Sequence, residues 1–262
     1  MEFLKKKARG LRKAIYNLRG GYPFKVHGEK FHVETSDIGY WKNVNNGDWE
    51  PETFIYLKEN LEAGDIYVDI GAWAGPTALY ASRKCAEVFC FEPDPVAFNN
   101  LTKNIRLNKA TNIHAFNIAV GHFNGTTTMS SAGEKLGDTM TSMVTDHSGK
   151  EIFKAMVMTW DRIRAYCNLD AIKMIKIDVE GAEFDLIHDM VDYLKKHQPV
   201  LWLSIHPTFI PENTVEQKIN RLIEDLSFYT SCYDQKLQKV SIDEMKSAES
   251  LKGYPSFLFK ME

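Results

Sequence analysis

The run Ile66-Tyr67-Val68-Asp69-Ile70-Gly71-Ala72-Trp73-Ala74-Gly75 decides the fold, because Val88-Phe89-Cys90-Phe91-Glu92-Pro93 follows it. An apolar strand ends in an acid and a glycine turn. A helix then leads to a second apolar strand that also ends in an acid, Glu92, 23 positions after Asp69. Glycines in such a turn let backbone approach a ligand closely, and an acid at the tip of the second strand can accept both hydroxyls of a ribose. A glycine turn alone is a weak signal. Strand, turn, helix, strand and acid in that order make a considerably stronger one.

The same alternation continues outward from this unit. A helix from about Pro95 to Asn108 carries Phe98, Leu101, Ile105 and Leu107, and a strand over 112–120 follows. Strand 172–178 leads to a helix near 182–195, and strand 199–205 to a helix near 214–227; residues 228–234 and 254–261 read as two closing strands. Asp161 is expected to cap a helix running to Cys167. Upstream, Pro51-Glu52-Thr53 opens a helix through Phe54, Leu57 and Leu61, with Pro51 in the first turn, where its missing N–H does no harm. Residues 24–33 read as a hairpin turning at Gly28, and residues 1–20 as a helix stopped by Gly20-Gly21-Tyr22-Pro23. Strands alternating with helices imply an α/β, doubly wound, mostly parallel sheet whose ligands sit at the strands' carboxyl ends. That rule places Asp69, Glu92, Val120, Asp178 and His206 along one edge. The chain divides into a basic helix and β-hairpin extension, 1–48, and a main domain, 49–262.

Composition narrows the function classes. Hydrophobic content of 44% and charged content of 26% are those of a soluble globular protein, and no apolar run reaches the roughly 18–20 residues of a membrane span. The basic N-terminus lacks an apolar core, so no secretory signal is expected and the chain reads as cytoplasmic. Cys85, Cys90, Cys167 and Cys232 lack paired spacing and read as reduced thiols, giving neither a zinc site nor a disulfide framework. Of 32 bases and 35 acids, residues 1–20 hold seven bases and one acid, leaving 25 bases and 34 acids in the body. An acidic body argues against nucleic-acid binding. The basic start, interleaved with Phe3, Leu4, Leu11, Ile15 and Leu18, is a candidate for peripheral contact with an anionic membrane or a partner; the alternative is a solvated helix packed on the main domain.

A dinucleotide enzyme normally presents Gly-x-Gly-x-x-Gly to a pyrophosphate. This turn offers only Gly71 and Gly75, with bulky Trp73 between them and an acid, Asp69, ahead. A carboxylate there repels pyrophosphate but suits a ligand with a cationic amino group. S-adenosyl-L-methionine fits: ammonium near Asp69, ribose on Glu92, adenine against Val120. Glu50, just before the first helix of the main domain, is placed at the methionine side.

The Asp69–Gly75 turn, Phe91-Glu92-Pro93-Asp94-Pro95, the helix bearing Asn99, Asn100, Asn104 and Asn108, Ala119-Val120-Gly121 with Gly125, and Lys176-Ile177-Asp178-Val179-Glu180-Gly181-Ala182-Glu183 resemble the FkbM family of methyltransferases. The resemblance spans roughly Trp49 to His206, and its most specific piece is the Lys176–Glu183 block. It implies a class I, Rossmann-like fold with a seven-stranded sheet and an antiparallel last strand. It further implies an S-adenosyl-L-methionine-dependent transferase, usually an O-methyltransferase, with sugars, glycans or natural products as acceptors. Cofactor contacts then fall to Glu50, Asp69, Gly71, Ala72, Trp73, Gly75, Glu92, Pro93, Val120 and Asp178. Where the family commonly has Asn this chain has Trp73, whose side chain either walls the methionine end or simply packs.

Methylating a hydroxyl needs a base, a metal that lowers its pKa, or close alignment alone. Asp178, Glu180 and His206 are the catalytic candidates. His206 follows the strand at 199–205, and an ordinary histidine pKa near 6.5 suits a general base at neutral pH. The acidic block admits a divalent metal, but no partner ligands are evident and none is assigned. Glu183 is an alternative cap for the next helix, and Lys176 an ion-pair partner. The Ser/Thr/Gly-rich stretch 121–149 is expected to form a flap over the acceptor or a plain β-hairpin extension, with Thr139, Thr141 and Ser142 as contact candidates. The competing readings are an NAD-type oxidoreductase, disfavoured by the missing third glycine, and a non-catalytic cofactor-binding or interaction module.

Overall fold

A computed structural model describes residues 2–131, 136–137, 141–142 and 151–262. The N-terminal part runs through helix α1 (Glu2–Leu18), hairpin strands β1 (Tyr22–Val26) and β2 (Glu29–Val33), and helices α2 (Ile38–Asn46) and α3 (Pro51–Asn60). Then come β3 (Ile66–Ile70), α4 (Pro76–Ala81), β4 (Glu87–Phe91), α5 (Pro95–Leu107) and β5 (Ile113–Phe116). Four strands build a side sheet: β6 (Ala119–Val120), β7 (Gly125–Ser131), β8 (Thr141–Ser142) and β9 (Ile152–Met158). The chain closes with α6 (Trp160–Cys167), β10 (Met174–Ile177), α7 (Glu183–His197), β11 (Val200–Ser204), α8 (Glu212–Leu226), β12 (Ser231–Tyr233), β13 (Lys239–Val240) and β14 (Ser256–Lys260).

The main sheet has the order β13-β12-β14-β11-β10-β3-β4-β5. From β3 to β5 the strands pair in parallel and step one way; β10 and β11 step the other way, and β14 runs antiparallel to β11. The direction of stepping reverses between β3 and β10, so the crevice at their carboxyl ends is the expected ligand site. The two-residue strand β13 adds an eighth member to the expected seven. Strands β3, β10 and β11 are covered on both faces, which is why they read as nearly unbroken apolar runs.

Alternation across the pleat sends Val68, Ile70, Ile175 and Ile177 into one core with residues of α6, α7 and α8. Tyr67 and Met174 point into the other, with residues of α3, α4 and α5. Phe24, Phe31, Trp41 and Val44 of the extension are buried in that second core, so residues 22–44 complete the cover of the sheet.

Local departures have identifiable causes. The strand expected over 112–120 is broken at Asn117, whose side-chain amide donates to the carbonyls of Glu92 and Pro93 and turns the chain into the side sheet. Asp161 lies in the first turn of α6, and the cap position belongs to Thr159. Glu183 does not cap α7 either: Oε2 accepts from the Gly181 N–H at 2.7 Å and Oε1 from the His206 N–H at 2.6 Å, tying the loop after β10 to the end of β11. The stretch 121–149 lies only partly within the described residues; Thr139 lies outside them, and Thr141 and Ser142 form β8. All four cysteines are free.

Candidate active site

A cavity of about 290 Å³ opens at the carboxyl ends of β3, β4 and β10. One half is built by Gly71, Ala72 and Trp73 of the turn, Phe91, Glu92 and Pro93 after β4, and Ile118, Val120 and Met129 of the side-sheet region. Glu92 is buried, and both oxygens are aimed by backbone: Oε2 accepts from the Trp73 N–H and Oε1 from the Asp94 N–H, each at 2.8 Å. Burial pushes its carboxyl up to about 8 against those two donors. The Trp73 indole donates to the Gly137 carbonyl at 2.9 Å and meets Tyr40 edge-on, with ring centroids 4.3 Å apart. Its side chain therefore links the turn to the β7–β8 connection and to α2.

The other half carries Glu50, Lys176, Asp178, Glu180 and His206. Lys176 Nζ lies 3.0 Å from Asp178 Oδ2 and 3.8 Å from Asp69 Oδ1. His206 Nε2 lies 3.5 Å from Asp178 Oδ1 and 3.6 Å from Glu180 Oε2, while Nδ1 faces Glu183 Oε1 at 3.4 Å. Burial alone would lower the imidazole, but Glu183, Asp178 and Glu180 outweigh it and raise His206 to about 9. The ordinary histidine pKa expected from sequence thus gives way to an imidazole that keeps its proton at pH 7. Burial would raise Asp178, yet Lys176 and His206 hold it below the usual carboxylate range. Glu180 rises to about 8 and Glu50 to about 7, in both cases chiefly through burial.

Two of the expected cofactor contacts, Asp69 and Gly75, do not line the cavity. Asp69 is fully buried beneath the cavity and does not line it. Register places it opposite Lys176; Thr77 Oγ1 donates to its Oδ2 at 2.6 Å, so its carboxylate anchors the start of α4 and the Lys176 ammonium. Gly75 sits at the N-cap of α4, outside the cavity wall. Glu50, Gly71, Ala72, Trp73, Glu92, Pro93, Val120, Asp178, Glu180 and His206 all line the cavity. Trp49, Ser204, Tyr254 and Ser256 join them from segments that carry no recognisable motif; the Ser204 and Ser256 hydroxyls are 2.8 Å apart.

Three non-glycine residues of the wall adopt left-handed backbone: Glu50, Trp73 and Glu180. Such strain persists where surroundings over-determine it, and it concentrates at functional sites. Gly71 has φ of +84°, and an added Cβ would collide with the Asp178 carbonyl. Gly71→Ala is therefore expected to cost on the order of 3 kcal/mol, read as a fall of roughly 6–12 °C in thermal midpoint.

Among the described residues, Asp178, Glu180 and His206 form a group whose ligand atoms all lie within 4.8 Å of one another. Lys176 takes Asp178 Oδ2 and leaves Oδ1 toward His206, so a divalent ion there would compete with the imidazole proton that the surrounding carboxylates hold. The raised groups also predict an unusual pH profile. Glu92, Glu180, Glu50 and His206 all bind protons more tightly folded than unfolded, so each contributes stability at low pH that is lost as pH rises through its folded value. The thermal midpoint of the ligand-free protein should fall by several degrees from about pH 5 to pH 9 in a thermal-unfolding series. A midpoint rising over that window would contradict these assignments.

Strand order defines a class I, Rossmann-like α/β fold. The methyltransferase FkbM domain matches residues 69–230, and the chain belongs to that family. Methyltransferase sdnD of Sordaria araneosa is 26% identical, over 64% of this chain and 75% of its own length. Hexuronic acid methyltransferase AglP of Haloferax volcanii is 25% identical, over 64% of this chain and 66% of its own. The crystal structure of methyltransferase FkbM from Methylobacillus flagellatus KT aligns with a TM-score of 0.48 at 16% identity, covering 79% of this chain and half of that one.

Proposed function

We propose that the chain is an S-adenosyl-L-methionine-dependent O-methyltransferase that modifies a hydroxyl of a sugar, glycan or natural product. One observation carries this reading. A single cavity holds a buried carboxylate aimed by two backbone N–H groups at one end, and a proton-handling cluster, Asp178–Glu180–His206, at the other. Glu92 suits the ribose diol: ligand hydroxyls that donate to it would stabilise the carboxylate that burial disfavours. Phe91, Ile118, Val120 and Met129 offer an apolar slot for a flat base. Glu50, with its raised pKa, gains from a cationic amino-acid end in the same way. The bound donor would supply an electrophilic methyl group at the Gly71 turn.

The cluster's task is to orient the acceptor oxygen and take its proton. Asp178 is held ionised by Lys176 and His206, and so accepts a hydrogen bond at neutral pH. The acid-rich wall offers acceptors to sugar hydroxyls, and one relative's name, hexuronic acid methyltransferase, is in keeping with a sugar acceptor as a class. Titration calorimetry with S-adenosyl-L-methionine, S-adenosylhomocysteine and NAD tests the donor side. Transfer from methyl-labelled donor to a panel of hydroxyl compounds tests the acceptor side. Binding of neither adenosyl ligand, or of NAD alone, sinks the proposal; donor binding with no transfer across the panel favours the non-catalytic module.

A further inference from the structure

Helix α1 presents its apolar stripe away from the body. Leu11, Ile15 and Leu18 recur at the spacing of one helical face and are 67%, 41% and 88% exposed. The opposite face holds the helix to the protein. Lys13 Nζ donates to the Ser36 carbonyl at 2.8 Å, Tyr16 meets Tyr22 edge-on, and both residues are only partly exposed. Lys7, Arg12 and Arg19 are exposed on the same helix or just beyond its end. A helix packed on its own domain would do the reverse, turning its leucines inward and its bases out.

We infer that this face of α1 docks on an anionic lipid surface, lying in the headgroup plane with Leu11, Ile15 and Leu18 inserted and the basic residues on the phosphates. Charge complementarity selects this occupant. Residues 1–20 carry seven bases and one acid, while the body is net acidic, so the helix end is drawn to an anionic membrane and the body is held off it. A second copy of the same face would oppose like charges. Phosphates of a nucleic acid would leave the leucine stripe without an apolar partner. No described helix is long and apolar enough to cross a membrane, so α1 lies on the surface and does not span it.

The test is sedimentation of the full chain with vesicles of phosphatidylcholine alone and of phosphatidylcholine mixed with phosphatidylglycerol. Binding is expected only to the mixed vesicles, weakening on the order of tenfold as salt rises from about 0.1 to 0.5 M. Leu11→Glu/Leu18→Glu should lose about 100-fold in partitioning with an unchanged thermal midpoint, since both side chains are exposed. No binding to mixed vesicles at low salt, or equal binding by the double variant, overturns the inference. So does self-association without lipid that the double variant abolishes, because the face would then belong to a second copy.

Discussion

Glu92→Ala is expected to weaken S-adenosylhomocysteine binding by at least about 100-fold in titration calorimetry, because two charge-assisted hydrogen bonds to a diol are worth roughly 1.5–3 kcal/mol each. The loss extends beyond the diol. The Glu92 carboxylate is also the acceptor for the Trp73 and Asp94 N–H groups, and removing it leaves both donors unsatisfied in a buried site. The turn that would face the donor then loses its tie to the end of β4. Glu92→Gln keeps the shape and one acceptor oxygen, so it should retain the fold while still losing much of the affinity. A pH series sharpens the prediction. The free carboxyl keeps its proton up to about pH 8, and if the donor's diol binds the carboxylate as proposed, binding would release a proton below that value. Affinity should therefore rise about tenfold per pH unit toward pH 8 and level off above it. Unchanged affinity in Glu92→Ala, or a flat profile, would remove Glu92 from the donor site.

What the sequence reveals of this site follows from how local each signal is. The Asp69–Gly75 turn and the acid at the end of β4 are legible because strand, turn and strand lie within 28 residues and the chemistry sits at their ends. Asp178, Glu180 and His206 are legible for the same reason: each closely follows a parallel strand. Helix α2 is hard to see, since Ile-Gly-Tyr-Trp-Lys-Asn-Val-Asn-Asn is rich in weak helix formers. Its available signals are at its ends, where the Asp37 carboxylate accepts from the Tyr40 N–H and Gly47 is left-handed. Tyr254 and Ser256 reach the cavity because β14 inserts beside β11, a long-range pairing that no local pattern encodes.

Asp69 shows what a motif reading leaves open. The alternation of β3 and the pairing of Asp69 with Lys176 bury its carboxylate under the turn, beside the Lys176 ammonium and the Thr77 hydroxyl, and it does not line the cavity. From sequence, an acid before a glycine turn looks the same in either position. The charge state of His206 is hidden in the same way. Three carboxylates from the loop after β10 and the start of α7 surround one imidazole, and only their convergence raises its pKa.

That convergence yields the second large effect. His206→Asn should lower turnover by about 10²–10⁴-fold while leaving donor affinity unchanged, the range that positioned proton transfer contributes. In the proposed O-methylation the hydroxyl's proton would leave as the methyl group arrives, and the cluster could take it only where a site is vacant. At pH 7 His206 holds its proton and Glu180, raised to about 8, holds most of its own, while Asp178 is paired with Lys176. The vacancy opens as pH rises, so kcat/KM of the wild type should climb about tenfold per unit and level near pH 8–9, with apparent values belonging to the coupled group. Glu183→Gln separates this role from a structural one. It removes the charge that does most to raise the imidazole, so the rising limb should move to lower pH with donor affinity intact. A limb that stays in place in Glu183→Gln, or a wild-type profile flat from pH 6 to 9, would leave His206 as a packing residue and return the proton transfer to solvent.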